Sequence, residues 1–478
     1  MSRIRAIEAK APKVHKEVLQ NLQADRNALN DSSKKKEGPL LYKDEVEKQQ
    51  IKELVHKLPK LDKIFEVHRK IGEGTFSSVY LGSLRQHSNL PDTEKRWFAI
   101  KHLVPTAHPA RIEHELRCLQ DMGGKNNVIG VDLCLRHFDT IVFIMPYIPH
   151  RKFSEYVGEM DAAELRRYMR ALLTALRHVH SFGVIHRDVK PSNFLYDRQN
   201  GRYLLVDFGL AQRVCAPPAA PPPAHASSAC KRPREEDDAA PGAKRMALDL
   251  SVRARATPVP VTPKSVPASG AAGGGACACA GAGGVCAACA RRGAARAPRA
   301  GTQGFRPPEV LLKYPHQTTA VDLWAAGVVL ASVLTARYPF FRAADDMSAL
   351  AELADFIGTD ALQRTAKALG RRVVSSSWRR GLCLRKLAMR RRGVAPPAAA
   401  PPCARCNLPA EQCLCPDDSI SAGGWSGAGA ACGFPGAAFA LAARLLEPQP
   451  ARRATAAEAL RHPFFAAPDL PPHAADAL

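Results

Sequence analysis

The run His186-Arg187-Asp188-Val189-Lys190-Pro191-Ser192-Asn193 constrains this chain more than any other feature. It follows a long segment with a helical apolar stripe and precedes a strand-like run that ends in Asp207-Phe208-Gly209. A carboxylate, an amine and a carboxamide are thus set at i, i+2 and i+5, with a second carboxylate next in order. Phosphoryl transfer asks for this set: a carboxylate near the incoming hydroxyl, oxygen ligands for Mg²⁺, and a cation for developing charge. Asp188 is the candidate base, Lys190 the cation, and Asn193 and Asp207 the Mg²⁺ ligands. Chance co-occurrence in this order and at this spacing is negligible.

Upstream, Ile71-Gly72-Glu73-Gly74-Thr75-Phe76-Ser77-Ser78-Val79 joins two strand-like runs. Glycines let backbone approach phosphates without Cβ clashes, and successive N–H groups can cradle them. Taken alone, the pair Gly72 and Gly74 reads equally as an ordinary hairpin turn, and Ser77 stands where a third glycine is usual. The next strand-like run carries Ala99-Ile100-Lys101, and a helix expected over Ala110–Met122 carries Glu115. A lysine that grips phosphates needs a carboxylate to hold its flexible stem. Glu115 is the candidate, with Glu113 as its competitor on the same helix.

The remaining chain reads as β-rich, then α-rich, which predicts two lobes with a cleft between them. The segment Ala162–Phe182 places Leu165, Met169, Leu172, Leu173, Leu176 and Val179 on one stripe, the period of a buried helix. Ala/Pro/Gly-rich tracts interrupt this order and read as insertions, because they bury too little surface to offset ordering entropy. The expected divisions are an N-terminal extension, partly helical, at 1–64; an N-lobe at 65–148; a C-lobe at 149–213, 296–369 and 433–467; insertions at 214–295 and 370–432; and a tail at 468–478. The stretch Asp44–Leu61 has a helical look within the extension and need not be part of the core. Without the insertions, roughly 260 residues remain, a size suited to one bilobal unit.

These motifs resemble the eukaryotic protein kinase family, an α+β bilobal fold with a β-rich N-lobe and an α-helical C-lobe. The resemblance implies ATP and Mg²⁺ as cofactors, and Lys190 with "GTQGF" before Pro-Glu implies the serine/threonine branch. It sets Thr302 against Asp188 and Lys190, Met145 at the gatekeeper position, Pro146-Tyr147-Ile148 at the hinge, and Ala99 and Leu195 around the adenine. It makes Asp322-x-Trp324-x-x-Gly327 a buried helix anchoring the catalytic loop, and Glu309 with Arg453 a buried ion pair. Pro307 departs from the alanine usual before Pro-Glu.

The runs "RAGTQGFRPPEVLLK", "QTTAVDLWAAGVVL", "RYPFFRAADDMSALAEL" and "HRDVKPSNFLYDR", with two large insertions, further resemble the cell division cycle 7-related kinases. That likeness implies an activating subunit of the dumbbell former 4 type. It implies the minichromosome maintenance helicase as substrate, in replication initiation and in the nucleus.

Eight of the 14 cysteines form two tight groups. Cys277, Cys279, Cys286 and Cys289 lie in the first insertion, and Cys403, Cys406, Cys413 and Cys415 in the second. Paired thiolates at such spacing read as zinc sites rather than disulfides, or one pair from each group closes a single site. Arg299 and Arg306 flank Thr302 and are candidates for holding an acidic or phosphorylated residue after the acceptor. Lys231-Arg232-Pro233-Arg234 with Lys244-Arg245 resembles a bipartite nuclear-import signal.

The net charge of +23 favours an anionic partner. No run of apolar residues is long enough for a membrane span, and the N-terminus lacks a signal peptide's apolar core, so an intracellular protein is expected. A pseudokinase scaffold would lack Lys101, Asp188, Asn193 or Asp207. A zinc-stabilised nucleic-acid binder would need a basic face with interleaved aromatics, and aromatics are 6%. No direct nucleic-acid site is required.

Overall fold

The computed structural model describes residues 38–74, 77–104, 109–214, 301–394, 402–416 and 432–466. By contacts the chain divides into Met1–Cys215 with Arg296–Leu478, and Ala216–Ala295. The second unit lies outside the described residues, as do Thr75, Phe76, Arg299, the first cysteine group and the import-like basic cluster.

Two helices, α1 (Gly38–Lys57) and α2 (Pro59–Ile64), lead into the N-lobe sheet. Its strands are β1 (Phe65–Gly74), β2 (Ser77–Leu84), β3 (Trp97–Leu103), β4 (Leu133–His137) and β5 (Thr140–Pro146), with helix α3 (Pro109–Asp121) after β3. The sheet is antiparallel in the order β1-β2-β3-β5-β4, so β5 inserts between β3 and β4. Alternation along β3 and β5 buries Phe98, Ile100, Val142 and Ile144 on one face. A Cβ at Gly82 on β2 would meet Ile100 Cδ1 at 2.4 Å and the Glu66 carbonyl at 3.1 Å, so a larger residue there would displace the buried Ile100 tip.

The helices before Phe65 belong to the core of the N-lobe. Leu54, Leu58 and Leu61 are 0–2% exposed and pack with Phe65, Tyr80, Phe98 and Ile100. Glu47 accepts from the Lys70 amide at 2.5 Å, and Gln50 from Lys70 Nζ at 3.2 Å. The high charge of this stretch hid three leucines that complete the sheet's apolar face. Leu58→Ala is therefore expected to cost about 2–5 kcal/mol of stability, the range for emptying a buried leucine site. Urea unfolding of the full chain checks it, and a loss within experimental error would return the helix to the surface.

The C-lobe begins with α4 (Phe153–Tyr156) and α5 (Ala162–Ser181). Asp161 caps α5 by accepting from the Glu164 amide at 2.6 Å. The predicted stripe is buried, with Leu165, Met169, Leu172, Leu173, Leu176 and Val179 each 0% exposed. Short strands follow: β6 (Val184–Ile185), β7 (Phe194–Asp197), β8 (Arg202–Leu205) and β9 (Gln212–Arg213), paired as β6-β9 and β7-β8. Then come α6 (Pro308–Leu311), α7 (Ala320–Leu334), α8 (Asp346–Ile357), α9 (Thr359–Ala368), α10 (Leu384–Arg391), α11 (Gly436–Leu445) and α12 (Ala456–Leu460). Every residue from Val321 to Leu334 is buried, so α7 is the axis of the lobe. At Gly327 a Cβ would meet Leu446 at 2.8 Å, so glycine sets how closely the chain after α11 approaches α7.

The second insertion is corrected, because 370–432 is not one low-complexity tract. Leu387, Ala388 and Met389 of α10 lie in the main core. The Arg-rich composition disguised this helix, since arginine stems pack on apolar surface and their heads find fixed partners. Arg385 is 6% exposed with its guanidinium over the Phe439 ring. Arg392 sits over Phe434 and donates to the carbonyls of Leu334 at 2.9 Å and Val333 at 2.6 Å, capping the end of α7.

Candidate active site

Strand β3 directs Lys101 inward beside α3, where its ammonium donates to Glu115 Oε1 at 2.5 Å and to Asp207 Oδ1 at 2.8 Å. Burial works against this charge, but Glu115 and Asp207 outweigh it and hold Lys101 above the ordinary lysine value. Glu113 points elsewhere, toward Arg117 at 2.5 Å on the exposed face. Helical spacing explains the choice: Glu113 and Glu115 are two residues apart and so lie on different faces.

Asp207 has φ +66 and faces the open cleft, while the neighbouring Phe208 is 1% exposed and packs edge-on against His186. Burial would raise the Asp207 carboxyl, but Lys101, His186 and the Gly209 amide hold it at about 2. Asn193 is 7% exposed and donates to both the Asp188 carbonyl and Oδ2 at 2.9 Å. Asp207 and Asn193 offer the hard oxygen donors that suit Mg²⁺.

Asp188 closes a network across the catalytic loop. Thr302 donates to Asp188 Oδ1 from its amide at 3.0 Å and from Oγ1 at 2.7 Å. Lys190 Nζ donates to Thr302 Oγ1 at 2.7 Å and lies 2.9 Å from Asp188 Oδ2. The loop itself hangs from Asp322 on α7, which is 1% exposed and accepts from the His186 and Arg187 amides at 2.8 Å each and from His180 Nε2 at 2.9 Å. Three donors to one buried carboxylate fix the loop on the most buried helix of the lobe.

The glycine hairpin lies on β1 and β2. A Cβ at Gly72 would meet only Val79, at 3.6 Å, and at Gly74 only Ser77, at 3.6 Å. Neither contact is tight and neither residue has a positive φ, so nothing in the described chain demands glycine at these two sites. Glycine at both sites would let backbone N–H groups come close to a phosphate. Met145 pairs with Ala99 across β5 and β3, and Leu195 lies on β7. At the expected hinge, which follows β5, the Tyr147 amide donates to the Trp97 carbonyl at 3.3 Å.

Arg306, a candidate for holding the residue after the acceptor, is engaged within the chain. Its Nη1 bonds Asp346 at 3.0 Å, its Nε bonds the Gly301 carbonyl at 2.9 Å, and its side chain is 14% exposed. It braces the segment next to Thr302 instead of presenting an open fork. Reading the sequence alone missed Arg111, which donates to the Gly209 carbonyl and ties α3 to the loop after Asp207. The signal was its place four residues before Glu115, on the same helix face. His180 was also missed, at the end of a helix read only for its apolar stripe.

Arg453 and Glu309 form the expected pair, with bonds of 2.6 and 3.0 Å and side chains 0% and 1% exposed. Arg453→Ala would strand the carboxylate in the core and is expected to cost about 3–5 kcal/mol. Chemical denaturation measures this, and a cost under about 1 kcal/mol would show the pair to be solvated.

In the second insertion the sulfurs of Cys403, Cys406, Cys413 and Cys415 all lie within 4.8 Å of one another. The two cysteine groups therefore need not share ligands, because one of them gathers four on its own.

The protein kinase domain profile matches residues 65–228 and 284–465. A Drosophila melanogaster protein named non-specific serine/threonine protein kinase Cdc7 is 38% identical, over 87% of this chain and 76% of its own length. The Mus musculus cell division cycle 7-related protein kinase is 33% identical, over 92% and 97%. The cell cycle protein kinase spo4 of Schizosaccharomyces pombe is 29% identical, over 68% and 72%. With the kinase fold, the ordered motifs and these relatives together, the chain belongs to the protein kinase family, in its cell division cycle 7-related branch of serine/threonine kinases.

Proposed function

We propose that this chain phosphorylates serine or threonine in acidic or already phosphorylated protein segments, with Asp188 as the base that orients and deprotonates the acceptor hydroxyl. The observation that carries this reading is the Thr302 hydroxyl, which donates to Asp188 and accepts from Lys190 at 2.7 Å each. It holds the carboxylate and the ammonium together at the place where hydroxyl and phosphoryl group must meet. The kinase domain works on ATP with Mg²⁺. Asn193 and Asp207 are the residues that would hold the metal, which supplies charge neutralisation to the phosphates. Lys101, positioned by Glu115, would grip the phosphates, and the Gly72–Val79 hairpin would cover them.

The likeness to the cell division cycle 7-related kinases supports a finer reading. The substrate is the minichromosome maintenance helicase, the activator is a dumbbell former 4-type subunit, and the site of action is the nucleus, in replication initiation. The Lys101–Glu115 pair is already closed in the single chain. The need for an activator therefore rests on the long tract after Val214, not on that pair. Preference for acidic targets rests on the +23 net charge and on Arg299, since Arg306 is engaged with Asp346.

The test is kcat/KM for the chain alone and with the co-expressed activating subunit, on matched peptides with Ala, Glu or phosphoserine after the acceptor. The expected result is strong activation and an order phosphoserine over Glu over Ala, because the phosphate carries nearly two charges. Full activity of the isolated chain would remove the activator from this reading. Equal rates on the three peptides would remove the acidic preference.

A further inference from the structure

Residues 402–416 form neither helix nor strand, and of their two leucines Leu408 is 44% exposed and only Leu414 packs, half-buried, against the main core. A stretch with so few apolar contacts needs a cross-link to hold one shape against its ordering entropy. Four sulfurs within 4.8 Å of one another offer the place for it, and none of them forms a disulfide. Tetrahedral zinc with Zn–S bonds of about 2.3 Å sets its sulfurs about 3.8 Å apart, so the gathered set needs little movement to close on an ion.

The backbone is wound around the sulfurs. The amides of Arg405 and Cys406 donate to the Cys403 sulfur, and the Cys415 amide donates to that of Cys413. The turn is closed by the Asn407 amide on the Cys403 carbonyl at 2.8 Å and the Cys403 amide on the Leu408 carbonyl at 2.9 Å. Asn407 takes the left-handed φ of +54 that this tight turn requires and that asparagine tolerates. Lys386 of α10 places Nζ 3.7 Å from the Cys413 sulfur and 3.3 Å from the Cys415 carbonyl. Four thiolates on a divalent ion carry two net negative charges, and amide and ammonium donors aimed at sulfur offset them.

We propose that Cys403, Cys406, Cys413 and Cys415 bind one structural zinc ion, and that this ion docks residues 402–416 onto α10 of the C-lobe. The docking contacts are direct. The Cys383 amide, just before α10, donates to the Leu414 carbonyl at 2.8 Å, and Arg380 reaches the Arg405 carbonyl. Cys413 is 2% exposed, so its sulfur is part of the packing. Through Arg392 the far end of α10 caps α7, the helix that carries Asp322. Four protein ligands leave no open position, which makes the ion a staple and not a catalyst.

The test uses the full chain with its activating subunit, purified without chelator. Elemental analysis of wild type and of Cys403→Ser/Cys406→Ser should differ by about one zinc per chain, whether or not the four cysteines near position 280 are intact. Cobalt exchanged into the site should give the intense visible bands of a tetrahedral tetrathiolate, absent from that variant. Hydrogen exchange across 384–391 and 402–416 should rise at least about tenfold when wild type is stripped of zinc, and fall again when zinc alone is added back. This last measurement needs no substitution and stands even if the variant misfolds. Unchanged zinc content in a folded variant, iron in place of zinc, or α10 exchange unmoved by metal removal would overturn the proposal.

Discussion

Asp188→Asn is expected to slow phosphoryl transfer by about 10²–10⁴ from loss of the base alone, with a further loss from the missing charge. The asparagine keeps an oxygen that can accept from Thr302, which now donates at 2.7 and 3.0 Å. It cannot take a proton from the acceptor. It also leaves Lys190, 2.9 Å from the present carboxylate, without its counter-charge. ATP binding should be nearly unchanged, because Lys101, Glu115 and Asp207 hold one another through bonds that do not involve residue 188. Single-turnover rates with activator and Mg²⁺-ATP, alongside an ATP binding isotherm, separate the two quantities. Near wild-type rates would sink the assignment of the base, and lost ATP binding would show that the loop had collapsed.

Lys101→Met is expected to lower kcat/KM by about 10²–10³, the scale for removing one electrostatic contact to the reacting phosphates. It also removes the only ammonium within bonding distance of both Glu115 and Asp207 among the described residues. Glu115 is 5% exposed, so the unpaired carboxylate should cost about 3–5 kcal/mol of stability. Lys101→Met/Glu115→Gln should regain much of that stability and none of the activity, a split that a merely structural lysine would not produce.

The acid limb carries a matching sign. Asp207 is held at about 2 against an ordinary 3.8. Its stabilising contribution is full above the ordinary value and is lost as pH falls toward 2. Without Lys101 that depression should shrink, and stability between those values should depend less steeply on pH. Acid titration of both proteins checks it, and an unchanged slope would assign the depression to His186 and the Gly209 amide.

Local chemistry made much of this site legible before any coordinate. The run from His186 to Asn193, with Asp207 behind it, demands one reaction type because few other uses exist for those groups in that order. Helix α5 was legible because six side chains recur at helical spacing and nothing polar competes for the stripe. The glycines of the hairpin were ambiguous in sequence. The structure adds that a Cβ at Gly72 or Gly74 would make only ordinary contacts, so packing within the described chain does not demand glycine there.

Composition misled where charged residues carry apolar stems or flank a few decisive leucines. Leu54, Leu58 and Leu61 sit among lysines and glutamates, yet all three are in the N-lobe core. Leu387, Ala388 and Met389 sit among arginines, yet they are buried in the main core. Arg306 looked like an open fork because sequence cannot show that Asp346, forty residues on, reaches it at 3.0 Å.

The sequence by itself determined the reaction class and the residues that could perform it, since these follow from functional groups and their spacing along one strand, loop or helix. Tertiary structure decided which of two glutamates meets Lys101, which arginine is already paired, which helices complete the core, and that four cysteines converge. Each of those depends on distances between segments far apart in the chain, and such distances are set by packing rather than by spacing along the chain.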